Sequence, residues 1–195
     1  MSTGLDLAET IAKVAGELGI DTAIIGAMAL AAHNYVRGTA DVAFATCVDP
    51  RSELPRLQAK LESLGLRTKL NMPDADDPIG GLLRVWEGAD EDGDPIDPVD
   101  IVNFFNPFRP SPNPGGDTIR EAIRLDATSS LRYARMAELI ALKLYAGSRR
   151  DQADVVELLT RNPDAAIAEI RGVCARYSCE HVFDELLAEA RASRA

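Results

Sequence analysis

Apolar and polar positions follow two different periods along this chain, and the switches between them outline its elements. Leu5, Leu7, Ile11, Val14, Ala15 and Leu18 recur at spacings of three and four, which predicts an amphipathic helix over Leu5 to Leu18, closed by Gly19. Thr22 to Ile25 is a short, partly β-branched run suited to a buried strand. Gly26 breaks it, and Ala27 to His33 is rich in alanine and leucine, so helical. Asp41 to Thr46 reads as a second strand, and Arg51 to Leu64 as a helix set between Asp49-Pro50 and Gly65. Strands are expected at Arg67 to Asn71, Gly81 to Glu87 and Pro98 to Phe105, separated by Asp, Pro and Gly clusters. Phe108 to Asp117, with three prolines and two glycines, is expected to be a surface loop. Helices follow at Met136 to Ala146, Gln152 to Thr160, Asp164 to Tyr177 and Glu180 to Ala192. This order predicts an α/β or α+β fold, a sheet flanked by helices with a helical C-terminal part. The expected division is a sheet unit over 1–135 and a helical unit over 136–195 packed on it.

Composition narrows the chemistry. The 195 residues are 46% hydrophobic, enough for a sizeable core, and 27% charged. A net charge of −10 excludes a non-specific coat on nucleic acid and leaves a local basic site open. The longest apolar run, Thr22 to Ala32, is too short to span a bilayer, so no membrane association is expected. No basic region precedes an apolar stretch at the N-terminus, so a cytoplasmic location is expected. Cys47, Cys174 and Cys179 form no CxxC pair, and reduced thiols are the expectation. With only His33 and His181 as histidines, a zinc site is disfavoured. Carboxylates, lysine and arginine are left to carry any chemistry.

The most informative stretch runs from Ile24-Ile25-Gly26-Ala27 to Arg37-Gly38-Thr39-Ala40-Asp41-Val42-Ala43. A strand that ends at glycine and turns at once into a helix presents backbone N–H groups, a general means of holding phosphate. A second stretch, Leu139 to Ala146 with Lys143 inside it, is followed by Arg149, Arg150, Asp151 and Asp154. Together these resemble the polymerase-beta-like nucleotidyltransferases: glycine, a short helix, Arg-x-Thr-x-Asp, and a later Leu-Lys-Leu helix with arginine and aspartate after it. Within that superfamily the pattern is similar to the minimal and AbiEii-type nucleotidyltransferases, some of them toxins of toxin–antitoxin systems.

The resemblance implies a nucleotidyltransferase core with a mixed sheet, and transfer of a nucleoside monophosphate from an NTP to an RNA or protein hydroxyl. It implies Asp41 and Asp100 as magnesium ligands, with Lys143 beside them as the third catalytic residue. It implies Gly26, Ala27, Arg37, Thr39, Lys143, Arg149 and Asp154 as nucleotide-binding residues, and a cognate toxin or antitoxin as a possible partner. Carboxylates at positions i and i+2 of a strand share a face and can hold metal between them. Here the second position is Ala43, and a methyl group coordinates nothing. Weakened Mg2+ binding and a rate loss of about a thousandfold or more are therefore expected. Whether Ala43 is native or introduced is open at this level. The alternative is a non-catalytic relative that keeps the cleft as a binding protein.

Other features have plainer readings. Asp151 and Asp154 open a helix, where carboxylates favour the helix dipole. The acidic run Asp90 to Asp97 alternates like a calcium loop but has Pro95 where glycine is required, so a charged hairpin tip is expected. Trp86, Phe104, Phe105 and Phe108 are expected to anchor the core and loops, and Cys174 and Cys179 to pack.

Overall fold

The computed structural model describes residues 4–37 and 42–194. The elements run α1 (Gly4–Glu17), β1 (Ala23–Ile25), α2 (Gly26–Ala32), β2 (Val42–Thr46), α3 (Glu53–Ser63), β3 (Arg67–Asn71), β4 (Leu82–Trp86) and β5 (Val99–Asn103). Then come α4 (Gly115–Arg120), β6 (Ile123–Arg124), β7 (Arg132–Tyr133), α5 (Met136–Ala146), α6 (Arg149–Arg161), α7 (Ile167–Ala175) and α8 (Glu180–Ala192). The seven strands form one mixed sheet in the order β3-β4-β5-β2-β1-β7-β6. Strand β2 pairs parallel with β5 and antiparallel with β1, and β1 pairs parallel with β7. The fold class is the expected one, a mixed α/β sheet flanked by helices.

Alternation along β4 and β5 decides which face is core. Leu83, Val85, Val99 and Ile101 are fully buried, while the residues between them are half-exposed. In β3 the same alternation leaves Arg67, Lys69 and Asn71 exposed. One continuous hydrophobic cluster joins Ile11, Phe44 and Leu57 to Ile140, Leu158 and Phe183, so residues of the sheet and of the C-terminal helices share it.

Three features depart from the sequence expectations. The proline- and glycine-rich loop gives way at Gly115 to the six-residue helix α4, which packs on β2. Strands β6 and β7 are two residues each, too short to leave a period in the sequence, and arise only because β7 pairs with β1. The acidic run is a hairpin tip: Ala89 bridges Pro95, and the Asp90 carboxylate accepts from the Asp92 and Asp94 amides. Phe105 and Phe108 are exposed rather than packed, with the Arg51 guanidinium lying over the Phe108 ring. Cys174 and Cys179 are buried free thiols; the Cys179 Sγ lies 3.3 Å from the Cys174 carbonyl.

Candidate functional site

The chain turns from β1 into α2 at Gly26, whose φ of 70° is costly for any residue with a side chain. A Cβ added there would stand 3.7 Å from the Cβ of Ala43, an ordinary contact, so conformation rather than space demands glycine. Ala43 is opposite Ile25 on β1 and opposite Asp100 on β5. On β4, Arg84 is opposite Asp100, and on β3, Lys69 is opposite Arg84. Paired residues share a face, with strands about 4.8 Å apart. One row therefore crosses the half-open face of the sheet: Ile25, Ala43, Asp100, Arg84, Lys69.

Asp100 is engaged on both oxygens. The Arg84 guanidinium donates from Nε at 2.7 Å and from Nη2 at 2.8 Å, a two-pronged pair that fixes the carboxylate plane. Sequence reading missed this partner, because the two residues lie on opposite arms of a hairpin sixteen positions apart. The signal that finds it is the register, which sets opposite charges face to face on β4 and β5.

On the other side of the turn a cavity of about 310 Å³ opens between β1, the 78–79 segment and α5. Ile25, Ile79, Phe104 and Leu142 give it an apolar wall, and Gly26, Lys143 and Asp151 line it as well. Two asparagines hold the 78–79 segment in place. The Asn103 amide nitrogen donates to the Gly80 and Phe105 carbonyls, and that of Asn106 to the carbonyls of Asp77 and Ile79. Gly80 is required here, since a Cβ would stand 2.0 Å from the Phe105 carbonyl oxygen.

Lys143 is buried among carboxylates. Its ammonium donates to Asp154 at 2.6 Å and to Asp151 at 3.1 Å. The same Asp154 oxygen accepts from Arg37 at 2.9 Å. Burial first, then the nearby Asp154 carboxylate, push the Tyr35 phenol above its ordinary value. Asp151 is set by the N-cap of α6: Ser148 Oγ accepts from the Asp151 amide and donates to the Asp151 carboxylate. Four charges thus cancel locally, and they tie the segment after α2 to α5 and α6.

The sequence candidates therefore fall into three groups. Gly26 and Lys143 line one cavity, and Ala43 and Asp100 stand side by side next to it. Asp154 and Arg37 form the network behind Lys143, and Ala27 is buried in the first turn of α2. Arg149 is exposed at the start of α6, as is Arg150. Thr39 and Asp41 lie outside the described residues.

A resident metal needs converging oxygen ligands. Among the described residues no three His, Cys, Asp or Glu side chains converge in that way. Asp100 has a methyl group opposite it on one side and a guanidinium on the other. Asp41, the other carboxylate that the family resemblance implies, lies outside the described residues. Among the described residues, no helix is long and apolar enough to cross a membrane.

No protein-family model matches the chain, and no curated protein matches it. Among solved structures it is similar to ANT(2")-Ia in complex with adenylyl-2"-tobramycin, at 19% identity over 100% of both chains, with a TM-score of 0.43. It is also similar to an antigenic nucleotidyltransferase-like protein from Paracoccidioides brasiliensis, at 15% identity over 93% of this chain and 90% of that one, with a TM-score of 0.47. A tRNA-processing enzyme in an apo form matches at 13% identity over 95% of this chain and 56% of that one, with a TM-score of 0.35. Likeness at this level assigns no substrate, metal or site residue to this chain.

Proposed function

We propose that this chain binds a nucleoside triphosphate in the cleft between the Gly26 turn and α5, as a protein of nucleotidyltransferase type, with nucleotidyl transfer strongly impaired. The carrying observation is that Gly26 and Lys143, from sequence segments more than a hundred residues apart, line one cavity, with Ala43 and Asp100 adjoining the turn. The apolar wall of Ile25, Ile79, Phe104 and Leu142 suits a base or sugar, and a cavity of this size suits a group of that bulk. Lys143, held by Asp151 and Asp154, offers an ammonium donor at the edge, its charge offset by those two carboxylates. The acceptor in an active form would be an RNA or protein hydroxyl.

Ala43 is the reason for impairment. It occupies the register position beside Asp100 where a second carboxylate would complete a pair. Calorimetric titration of the full chain with each of the four NTPs tests binding, and transfer of radiolabel to RNA and to protein tests chemistry. At least one NTP is expected to bind saturably, with no transfer above the protein-free control. Ala43→Asp is expected to raise transfer, in the presence of magnesium, by about a hundredfold or more. Absence of binding by every NTP would overturn the proposal. Binding without transfer in Ala43→Asp would assign the chain to the non-catalytic reading.

A further inference from the structure

We propose that a second pocket, at the end of β1 opposite the Gly26 turn, binds a small phosphate-bearing anion through Lys13, Arg124 and Arg132. Residues 20–22 lead into β1 and Gly26 follows it, so this pocket and the nucleotide cleft lie at opposite ends of one strand. The pocket has a volume of about 290 Å³. Lys13 comes from α1, Arg124 from β6 and Arg132 from β7, and Asp21 is the one carboxylate that lines the pocket with them. Thr22 and Ser130 line it as well, residues whose hydroxyls can donate to phosphate oxygens. Binding here is independent of whether the cleft takes a nucleotide.

The sheet register carries the argument. Arg124 is directly opposite Arg132, and like charges in that position repel. Arg132 has a structural duty: its Nη2 donates to the Ile119 carbonyl at 2.6 Å, beside those of Arg120 and Ala122 at 3.4 Å. Its Nη1 is 3.6 Å from the Asp21 carboxylate, beyond a hydrogen bond, and the Asp21 side chain is 83% exposed. Arg124 has no such duty. Among the described residues neither Arg124 nor Lys13 enters an ion pair, and both are exposed. Two further carboxylates stand behind the wall and do not line the pocket. Glu9 accepts from the Ser129 hydroxyl and the Ser130 amide, and Asp126 from the amides of Thr128 and Ser129. An anion between the facing guanidiniums removes their repulsion, and the planar fork of arginine matches phosphate oxygens two at a time. The field of a chain of net charge −10 opposes a long polyanion, whereas a small anion meets chiefly the groups it touches.

The test is calorimetric titration of the full chain with inorganic phosphate and with pyrophosphate, against sodium chloride of matched ionic strength. At least one of the two anions is expected to bind saturably and to raise the melting temperature, since a ligand held only by the folded chain stabilises it. Lys13→Gln is expected to weaken binding at least about tenfold. Arg124→Glu is expected to abolish it while the ligand-free melting temperature holds or rises, because the new carboxylate faces Arg132. A fold at least as stable that no longer binds separates lost recognition from lost structure. Ala146→Phe, in the lining of the nucleotide cleft, is expected to leave anion affinity within about threefold. A short single-stranded RNA is expected to bind no more tightly than the better of the two anions. Absence of saturable binding by both anions would overturn the proposal, as would wild-type affinity in Arg124→Glu. Loss of anion binding in Ala146→Phe would move the anion to the cleft and overturn it too. Tighter binding of RNA would overturn the assignment to a small anion.

Discussion

Asp154 shows how much one carboxylate can organise. It is almost fully buried, accepts from Lys143 and Arg37 on a single oxygen, and lies close enough to Tyr35 to push its phenol up. Removing one member of a buried ion pair strands the opposite charge, which costs more than the pair contributes when intact. Asp154→Ala leaves two cations facing each other, and denaturant unfolding is expected to show a loss of about 3–5 kcal/mol. Lys143→Met leaves Asp154 with Arg37, so the expected loss is smaller, about 1–2 kcal/mol. The reverse order would mean that Lys143, rather than Asp154, is the hub. At the same scale, the two-pronged Arg84–Asp100 pair matters for charge more than for stability, since both side chains remain partly exposed.

Elements position these residues through their ends. Helix α5 stops at Gly147, whose left-handed conformation lets its N–H donate back to the Lys143 carbonyl and close the last turn. Ser148 then caps α6 and sets Asp151 against the lysine. Ser148→Ala removes both of its bonds, at an expected cost of about 1 kcal/mol. A fall of roughly 2–4 °C in melting temperature would register that cost, and an unchanged melting temperature would show that the cap carries no load.

The long helices and the five principal strands were legible in the sequence because each buries a face at its own period; Met136–Ala146 and Glu180–Ala192 match to the residue. Glycine at 26 and lysine at 143 were singled out together through the family resemblance, and both line one cavity. The Arg84–Asp100 and Arg37–Asp154 pairs were not, since each joins elements whose approach is fixed only by the assembled fold. The same holds for β7, a strand by virtue of its neighbour β1.

At the scale of the whole molecule, the proposed nucleotide binding would require a chain of net charge −10 to offer a local exception to its own field. Lys69 and Arg84 on the open face of the sheet, and the Lys143 ammonium at the cavity edge, are the cations that this reading would draw on. The sheet supplies the row and the C-terminal helices supply the lysine, so the site exists only where these two parts meet. Ala146 lies at the end of α5, lines the cavity and is exposed, so a larger side chain there fills the cleft without disturbing the core. The most direct measurement is therefore calorimetric NTP titration of Ala146→Phe against the wild type, with melting temperatures recorded for both. Saturable wild-type binding that weakens at least about tenfold in the variant, at an unchanged melting temperature, is the predicted result. Equal affinity in the two proteins would contradict the placement of the nucleotide between Gly26 and Lys143.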